Sequence, residues 1–132
     1  MKNAVKAMKL LSDPARLRIL MILRKRELCV CQIMGVLGIS QPLVSRNLNL
    51  LNGAGLLDER KEGKLVFYSL KEEISPIYRS VITVLRKALK SDSILKGDLM
   101  ALSDCREFQK KTGRCDMKTF SEFMKKKKRQ EL

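Results

Sequence analysis

The sequence predicts a mainly α-helical protein with a small β-hairpin wing, a winged helix-turn-helix fold that is dimeric. Aromatic residues make up 5% of the 132 residues and Trp is absent, so Leu, Ile, Val and Met must fill the core, as is usual in helical domains. Two helical patterns flank a tight turn at residues 38–40. Two strand-like segments, residues 56–61 and 64–70, then follow and are joined by a Glu-Gly pair.

The first two helices have separate signals. Apolar residues recur at three-residue spacing between positions 5 and 11, which predicts a short helix with an apolar stripe. Asp13 followed by Pro14 is typical of a helix start, because the carboxylate accepts a backbone hydrogen bond and Pro requires none at the first helical position. The broad apolar face beyond this pair predicts a second helix over residues 14–26.

The next two helices form the predicted helix-turn-helix. Gly38 is a left-handed cap candidate for a short third helix, and Ser40 is an N-cap candidate for the fourth. Val44, Leu48 and Leu51 give the fourth helix an apolar face at i, i+4, i+7 spacing. The second helix of such a motif lies in the DNA major groove. We therefore expect DNA contacts from its polar face, from Ser40, Gln41, Pro42, Ser45, Arg46 and Asn49.

The charge balance also favours a polyanionic partner. The chain has 28 Lys and Arg against 14 Asp and Glu, a net charge of +14. Arg60, Lys61 and Lys64 lie near the predicted hairpin tip, where they would reach the phosphate backbone beside the groove. The alternatives are a generally basic surface and a solvated charged turn.

A long helix from Glu72 or Ser75 to Leu89 should complete this unit. Its apolar stripe, and that of the first helix, would be exposed in a monomer. Dimerisation would bury both stripes, and a two-fold homodimer presents two recognition helices to palindromic double-stranded DNA. The alternative is that both stripes pack within one chain.

Two regions are expected. Residues 1–91 are predicted to form the DNA-binding and dimerisation domain, and residues 92–132 a C-terminal extension that holds Cys105 and Cys115. The extension should contain one or two short helices, such as 116–127, and should dock loosely or become ordered on metal binding. Its basic run at 125–129 is expected to be a solvated tail, with attraction to nucleic acid as the alternative.

The four cysteines and the absence of histidine limit the chemistry. No apolar run of about 18 residues and no signal peptide is apparent, so a cytoplasmic protein without membrane contact is expected. In that reducing compartment, cysteines are expected to be free thiols or metal ligands rather than disulfides. An enzyme is not expected, because no His, paired carboxylates or activated nucleophile is apparent. Cys29 and Cys31, about ten residues before the recognition helix, suggest a soft-metal site next to a DNA reader.

Four segments together resemble the ArsR/SmtB family of metalloregulatory repressors, over roughly residues 3 to 90. They are Leu-Ser-Asp-Pro-Ala-Arg-Leu-Arg-Ile-Leu at 11–20, Glu-Leu-Cys-Val-Cys at 27–31, Ile-Ser-Gln-Pro-Leu-Val-Ser at 39–45 and Leu-Leu-Asn-Gly-Ala-Gly-Leu-Leu at 50–57. The resemblance implies a homodimeric winged helix-turn-helix protein that represses metal-resistance genes and leaves DNA when metal binds.

Four departures from the family pattern refine this expectation. Gln32 stands where an Asp usually follows the second Cys, and Met34 stands where the best-known arsenic sensors have a third Cys. The last core helix has no His and a single carboxylate at its start, so the family's zinc site on that helix should be absent. Asn47 occupies the usual His position of the recognition helix, so base readout is expected to differ.

The expected inducers are As(III) and Sb(III), which prefer three thiolates, or another thiophilic ion such as Cd(II), Pb(II) or Zn(II). Cys29 and Cys31 supply two sulfurs, and the third is expected from Cys105 or Cys115. A two-thiol site for a mono-organic arsenical and a site with all four cysteines remain alternatives.

The pair also suggests a mechanism. On a regular helix, residues i and i+2 point about 200° apart, so coordination by both thiols should bend the first helical turn and displace the reading helix. Metal and DNA would then be antagonistic ligands. A helix N-terminus and the basic residues 24–26 are expected to keep these thiols partly deprotonated.

Two other functions stay open. One is a redox or persulfide sensor, in which the paired thiols are oxidised and the dimer leaves DNA. The other is a DNA-binding or architectural protein whose cysteines are inert.

Overall fold

The computed structural model of the chain describes residues 1–112. In chain order, the elements are α1 (Lys2–Leu11), α2 (Pro14–Leu23), β1 (Leu28–Cys29), α3 (Val30–Leu37), α4 (Gln41–Gly53), β2 (Leu57–Glu62), β3 (Leu65–Leu70), α5 (Pro76–Ala88) and α6 (Ser93–Thr112). This arrangement confirms the predicted mainly helical fold with a β-hairpin wing. Cys115, the helix expected over 116–127 and the basic run 125–129 lie outside the described residues.

Local signals place the helix ends. Asp13 Oδ1 accepts a hydrogen bond from the backbone N–H of Arg16 at 3.0 Å, which caps α2 as predicted. Ser40 Oγ accepts one from the backbone N–H of Leu43 at 3.4 Å at the start of α4. Gly38 ends α3 in the left-handed conformation, with φ of +67°. The helix α2 ends at Leu23, three residues before the predicted end, because the chain turns there towards β1.

The core is aliphatic and is centred on α2. Residues 19–23 are all buried, so the second half of α2 is surrounded on every side, and α3, α4 and the sheet pack around the helix. Large side chains with less than 2% of their surface exposed include Ile19, Leu20, Ile22, Leu28, Ile33, Leu48, Leu51, Leu56 and Leu57. Burial of branched aliphatic side chains is the main stabilising contribution in such a core.

The sheet has three strands in the order β1-β3-β2, where the sequence predicted a hairpin of two. In β2 and β3 the antiparallel register runs from Leu57 opposite Leu70 to Glu62 opposite Leu65, as the predicted hairpin requires. The additional strand β1 pairs with β3 and places Cys29 opposite Phe67. The first cysteine of the pair therefore lies in the same sheet as the wing.

The helix α6 differs most from expectation. It is one continuous helix, and its residues Ala101, Leu102 and Cys105 are buried in the core formed by the preceding helices. Asp98, 4% exposed, accepts two hydrogen bonds from Arg18, Nε to Oδ2 at 2.9 Å and Nη2 to Oδ1 at 2.8 Å. The expectation of loose docking was wrong for this part of the extension, since a buried ion pair and an apolar face fix the helix to α2.

Apolar side chains remain exposed on the two outer helices. Val5 and Met8 of α1 are 45% and 66% exposed, and Val84 of α5 is 64% exposed. The two helices contact each other, but this contact leaves these three side chains uncovered within the described part of the chain. None of the helices described is long and apolar enough to cross a lipid bilayer.

Candidate DNA interface and thiol site

The polar face of α4 points away from the core. The Ser40 side chain caps the first turn, and the apolar residues Val44, Leu48 and Leu51 fix the opposite face inside. Of the six predicted DNA-contacting residues, Ser45 is half-buried and five are exposed, namely Ser40, Gln41, Pro42, Arg46 and Asn49. A projecting helix with such hydrogen-bonding side chains has the shape that enters a major groove.

Asn47 lies on the inward face of the same helix. It is fully buried, and its Oδ1 accepts a hydrogen bond from Arg16 Nη1 at 3.3 Å. Arg16 also donates from Nε to the carbonyl of Leu10 at 2.6 Å, and thereby ties α1, α2 and α4 together. The expectation that Asn47 changes base readout was wrong, because this side chain cannot reach DNA. Sequence reasoning also missed Arg16, whose partners are 6 and 31 positions away.

On the wing, Arg60 is already paired. Its guanidinium contacts Glu27 Oε1 at 2.6 Å and Glu62 Oε2 at 2.7 Å, and lies 4.8 Å from the centre of the Phe67 ring. Hydrogen bonds from the two carboxylates, Glu27 first, raise the pKa of Arg60 above its ordinary value. Lys61 and Lys64 are exposed at the tip, and neither forms an ion pair within the described region.

Cys29 is the N-cap of α3 and is 2% exposed. Its backbone is extended, with φ of −89° and ψ of 170°, and its N–H donates to Gln32 Oε1 at 2.9 Å. The Cys29 sulfur in turn faces the backbone N–H of Gln32, which completes a reciprocal capping box. The sequence contained this signal, because Gln at the third helical position is typical of the motif. The buried Gln32 therefore orients the first thiol.

Cys31 is half-buried in the first turn of α3. Because Cys29 precedes the helix, the two thiols do not have the relation of i and i+2 on a regular helix, and that premise was wrong. Burial, and then the charge of Cys29, raise the pKa of Cys31, against a smaller lowering by a backbone hydrogen bond. This direction is opposite to the one expected for a partly deprotonated Cys31, because burial outweighs the backbone hydrogen bond.

The structure brings two of the predicted ligands together. Cys29 and Cys31 interact electrostatically, whereas Cys105 is buried on α6, which packs against α3. No group of three or more Cys, Asp or Glu side chains suited to a metal ion occurs within residues 1–112. The two sulfurs have the chemistry that soft ions prefer, and a site with three thiolates would need a rearrangement or a ligand from beyond the described residues.

Comparison with known proteins places this site in a family context. The bacterial regulatory protein family arsR matches residues 13–59, from the cap of α2 into β2. The chain is 45% identical over 71 residues to the arsenical resistance operon repressor of Escherichia coli (strain K12), covering 53% of this chain and 61% of that protein. It is 40% identical over 81 residues to the arsenic resistance transcriptional regulator ArsR2 of Pseudomonas putida (strain KT2440), covering 61% of this chain and 70% of the other.

A similar solved structure is that of reduced HlyU from Vibrio cholerae N16961. It superposes with a TM-score of 0.58 at 33% identity and covers 66% of this chain and 88% of that one. By contrast, the chain spans only about three fifths of the length of the E. coli repressor, 61%.

Proposed function

This chain belongs to the ArsR family of bacterial regulatory proteins, and we propose that it is a DNA-binding transcriptional repressor that leaves its operator when As(III) or Sb(III) binds to its cysteine thiolates. Cd(II), Pb(II) and Zn(II) are further candidate inducers. The observation that carries the proposal is the position of Cys29, which caps α3 and pairs with the wing strand β3.

The exposed face of α4 would read the operator, with contacts from Ser40, Gln41, Pro42, Ser45, Arg46 and Asn49. Lys61 and Lys64 would bind the flanking phosphates, because their charges are not balanced by nearby carboxylates. Arg60 was also expected to contact DNA, but it is held by Glu27 and Glu62. We assign it instead to connecting the wing with residues 27–29, which precede α3.

A homodimer on palindromic double-stranded DNA fits the exposed apolar side chains of α1 and α5. The stripe of Val5 and Met8 lies on the helix next to the one that exposes Val84, so the two helices together offer a surface for a second copy. Two-fold pairing would present two copies of α4 to consecutive turns of the groove.

For sensing, Cys29 and Cys31 would be the first two ligands, and Cys105 or Cys115 the third. A bound soft ion supplies strong sulfur bonds that replace weaker interactions of the thiols. The Cys29 sulfur would have to leave the N–H of Gln32, so the first turn of α3 loses one half of its capping box. The change would pass to α4 across the turn at Gly38.

A second connection leads to the wing. Cys29 lies opposite Phe67, the Phe67 ring lies under Arg60, and Arg60 is bonded to Glu27, two residues before Cys29. A shift of the segment 27–29 would therefore strain the wing and the start of α3 together. Inducer and DNA become antagonistic ligands with a single, reciprocal coupling free energy.

The test is a titration of the fully reduced protein, bound to a fluorescent copy of its own promoter, followed by anisotropy. We expect release by near-stoichiometric arsenite. Cys29→Ser/Cys31→Ser should bind DNA as the wild type does but not respond, since Ser is a favourable N-cap and keeps α3 intact. Release of the double variant by arsenite would contradict the proposal.

The second candidate, a thiol-based redox or persulfide sensor, is favoured by the proximity of the Cys29 and Cys31 thiols. It predicts release on mild oxidation and none by arsenite under reducing conditions. Inert cysteines predict release in neither titration, so the same experiment separates all three functions.

A further inference from the structure

A cleft of about 420 Å³ lies between the end of α2, the end of α5 and the start of α6. Its size is within the usual range for small-molecule sites, roughly 300–1,000 Å³. Its apolar lining includes the side chains of Leu89, Leu95 and Leu99, which are at least partly exposed. Six cationic side chains line it, namely Arg24, Lys25, Arg86, Lys87, Lys90 and Lys96.

The cleft contains little negative charge to balance these cations. Asp98 also lines it, but this carboxylate is bonded through both oxygens to Arg18. None of the six cations has an ion-pair partner among residues 1–112. The excess positive charge is therefore local to this concave surface and is separate from the wing.

Arg24 has an unsatisfied group inside this arrangement. Its Nε is buried and has no hydrogen-bond partner, although a buried donor without an acceptor is unfavourable. Burial, and then the positive charge of Arg86, lower the pKa of Arg24. An anion between the two guanidinium groups would relieve their repulsion, and a small rotation of the Arg24 side chain would let Nε donate to it.

We propose that this cleft binds an organic anion, in which a carboxylate, sulfonate or phosphate group is attached to an apolar body. The acidic group would lie between Arg24 and Arg86, and the body on the apolar lining. Duplex DNA fits less well, because a backbone phosphate has no apolar part to cover Leu95 and Leu99. A metal cation is unsuited to this cleft, since the six Lys and Arg side chains that line it would repel a positive ion.

The cleft is distinct from the thiol site and is connected to the helix-turn-helix through Arg18. Its wall residue Asp98 holds Arg18, and Arg18 Nη2 donates to the carbonyl of Leu37 at the end of α3 at 3.1 Å. A bound anion would thus contact the ion pair that joins α6 to the helix-turn-helix. The proposal does not depend on the inducer of the repressor.

The probe is 8-anilinonaphthalene-1-sulfonate, which carries a sulfonate on an aromatic body, added to the reduced full-length protein. We expect one saturable site per chain by fluorescence and a raised Tm. Arg24→Gln/Arg86→Gln should bind the probe about tenfold more weakly or worse, the loss expected for charge-assisted hydrogen bonds. Lys2→Gln/Lys6→Gln, with the same charge change on exposed positions of α1, should bind it as the wild type does.

Lys90→Gln/Lys96→Gln changes only exposed side chains and should also weaken binding, so the test does not depend on the fold tolerating a change at Arg24. Equal affinity of the wild type and both cleft variants would overturn the proposal. So would cleft variants that keep probe affinity but lose operator binding, since the cations would then serve DNA phosphates.

Discussion

Two asparagines of α4 that are two positions apart lie in opposite environments, one buried and one exposed. Asn47 is fully buried and bonded to Arg16, whereas Asn49 is exposed on the proposed reading face. The same side chain can therefore serve stability at one position and DNA recognition at the other, and only its direction on the helix decides which.

We expect Asn47→Ala to lower the free energy of unfolding by about 1–2 kcal/mol, because Arg16 Nη1 loses its acceptor. The Asn47→Ala protein should keep the wild-type order of affinities for operators that differ in base sequence. Asn49→Ala, the matched control, should alter stability by less than about 0.5 kcal/mol but weaken operator binding. Urea denaturation and anisotropy measure the two quantities. A changed base preference in folded Asn47→Ala would contradict this assignment.

The capping box gives a second matched pair. Gln32→Ala leaves the buried N–H of Cys29 without its acceptor, and should destabilise the protein by about 1–2 kcal/mol. Cys29→Ser keeps an acceptor at the N-cap, so its stability should stay within about 0.5 kcal/mol of the wild type while the inducer response is lost. Thermal denaturation and the release assay test both. Equal stability of Gln32→Ala and the wild type would show that the box is unimportant.

At the scale of elements, local signals in the sequence were sufficient for the helix starts and the wing. Asp13, Ser40 and Gly38 act through neighbours a few residues away, so their effects can be read from the sequence. The strand β1 could not be predicted, because two residues carry no periodicity and the strand exists only through pairing with β3. The anchoring of α6 depends on Asp98 and Arg18, which are 80 positions apart.

The capping role of Gln32 could have been predicted, unlike the burial of Asn47. A Gln at the third position of a helix is a recognised local pattern. Because Asn47 is polar, the sequence pattern places it on the outer face of α4. It lies on the inner face instead, where Arg16 of α2 donates a hydrogen bond to it. Tertiary pairing of polar groups is therefore the main source of error in the candidate site.

The ion pair between α2 and α6 should be costly to break. In Asp98→Ala, the largely buried Arg18, 25% exposed, is left without its carboxylate, and we expect a loss of about 3 kcal/mol. Asp104→Ala, an exposed position on the same helix, should change stability by less than about 0.5 kcal/mol. Arg18→Met/Asp98→Leu should recover most of the loss, since an apolar pair leaves no buried charge. Denaturant titrations of the four proteins would test this, and a small effect of Asp98→Ala alone would contradict it.

The wing should contribute to DNA affinity through its lysines. Lys64→Ala should reduce the slope of log affinity against log salt by about 0.9 for each phosphate that Lys64 neutralises in the wild type. Arg60→Ala should leave this slope unchanged, because Glu27 and Glu62 already balance its charge. Operator binding at four or more salt concentrations measures both slopes. A lower slope for Arg60→Ala would return this residue to the DNA interface.

At the scale of the whole molecule, the proposed sites share one rigid centre. The thiol pair, the reading helix and the cationic cleft each contact α2 or α3, and these helices pack tightly around residues 19–23. A close-packed interior transmits displacements between such elements because it has little free volume to absorb them. Ligands at separate positions can therefore influence the same DNA-reading surface.

The apolar surface of α1 and α5 is outside this centre and should form the homodimer. Val84→Glu places a charge where a second copy would pack, and because Val84 is 64% exposed, the monomer fold should be kept. We expect a monomer in analytical ultracentrifugation and a strong loss of operator affinity, since one copy of α4 binds one half-site. Met100→Glu on α6, where Met100 is 71% exposed, is the control and should stay dimeric. A dimeric Val84→Glu protein would show that another surface joins the two chains, and α4 would then need a different geometry on DNA.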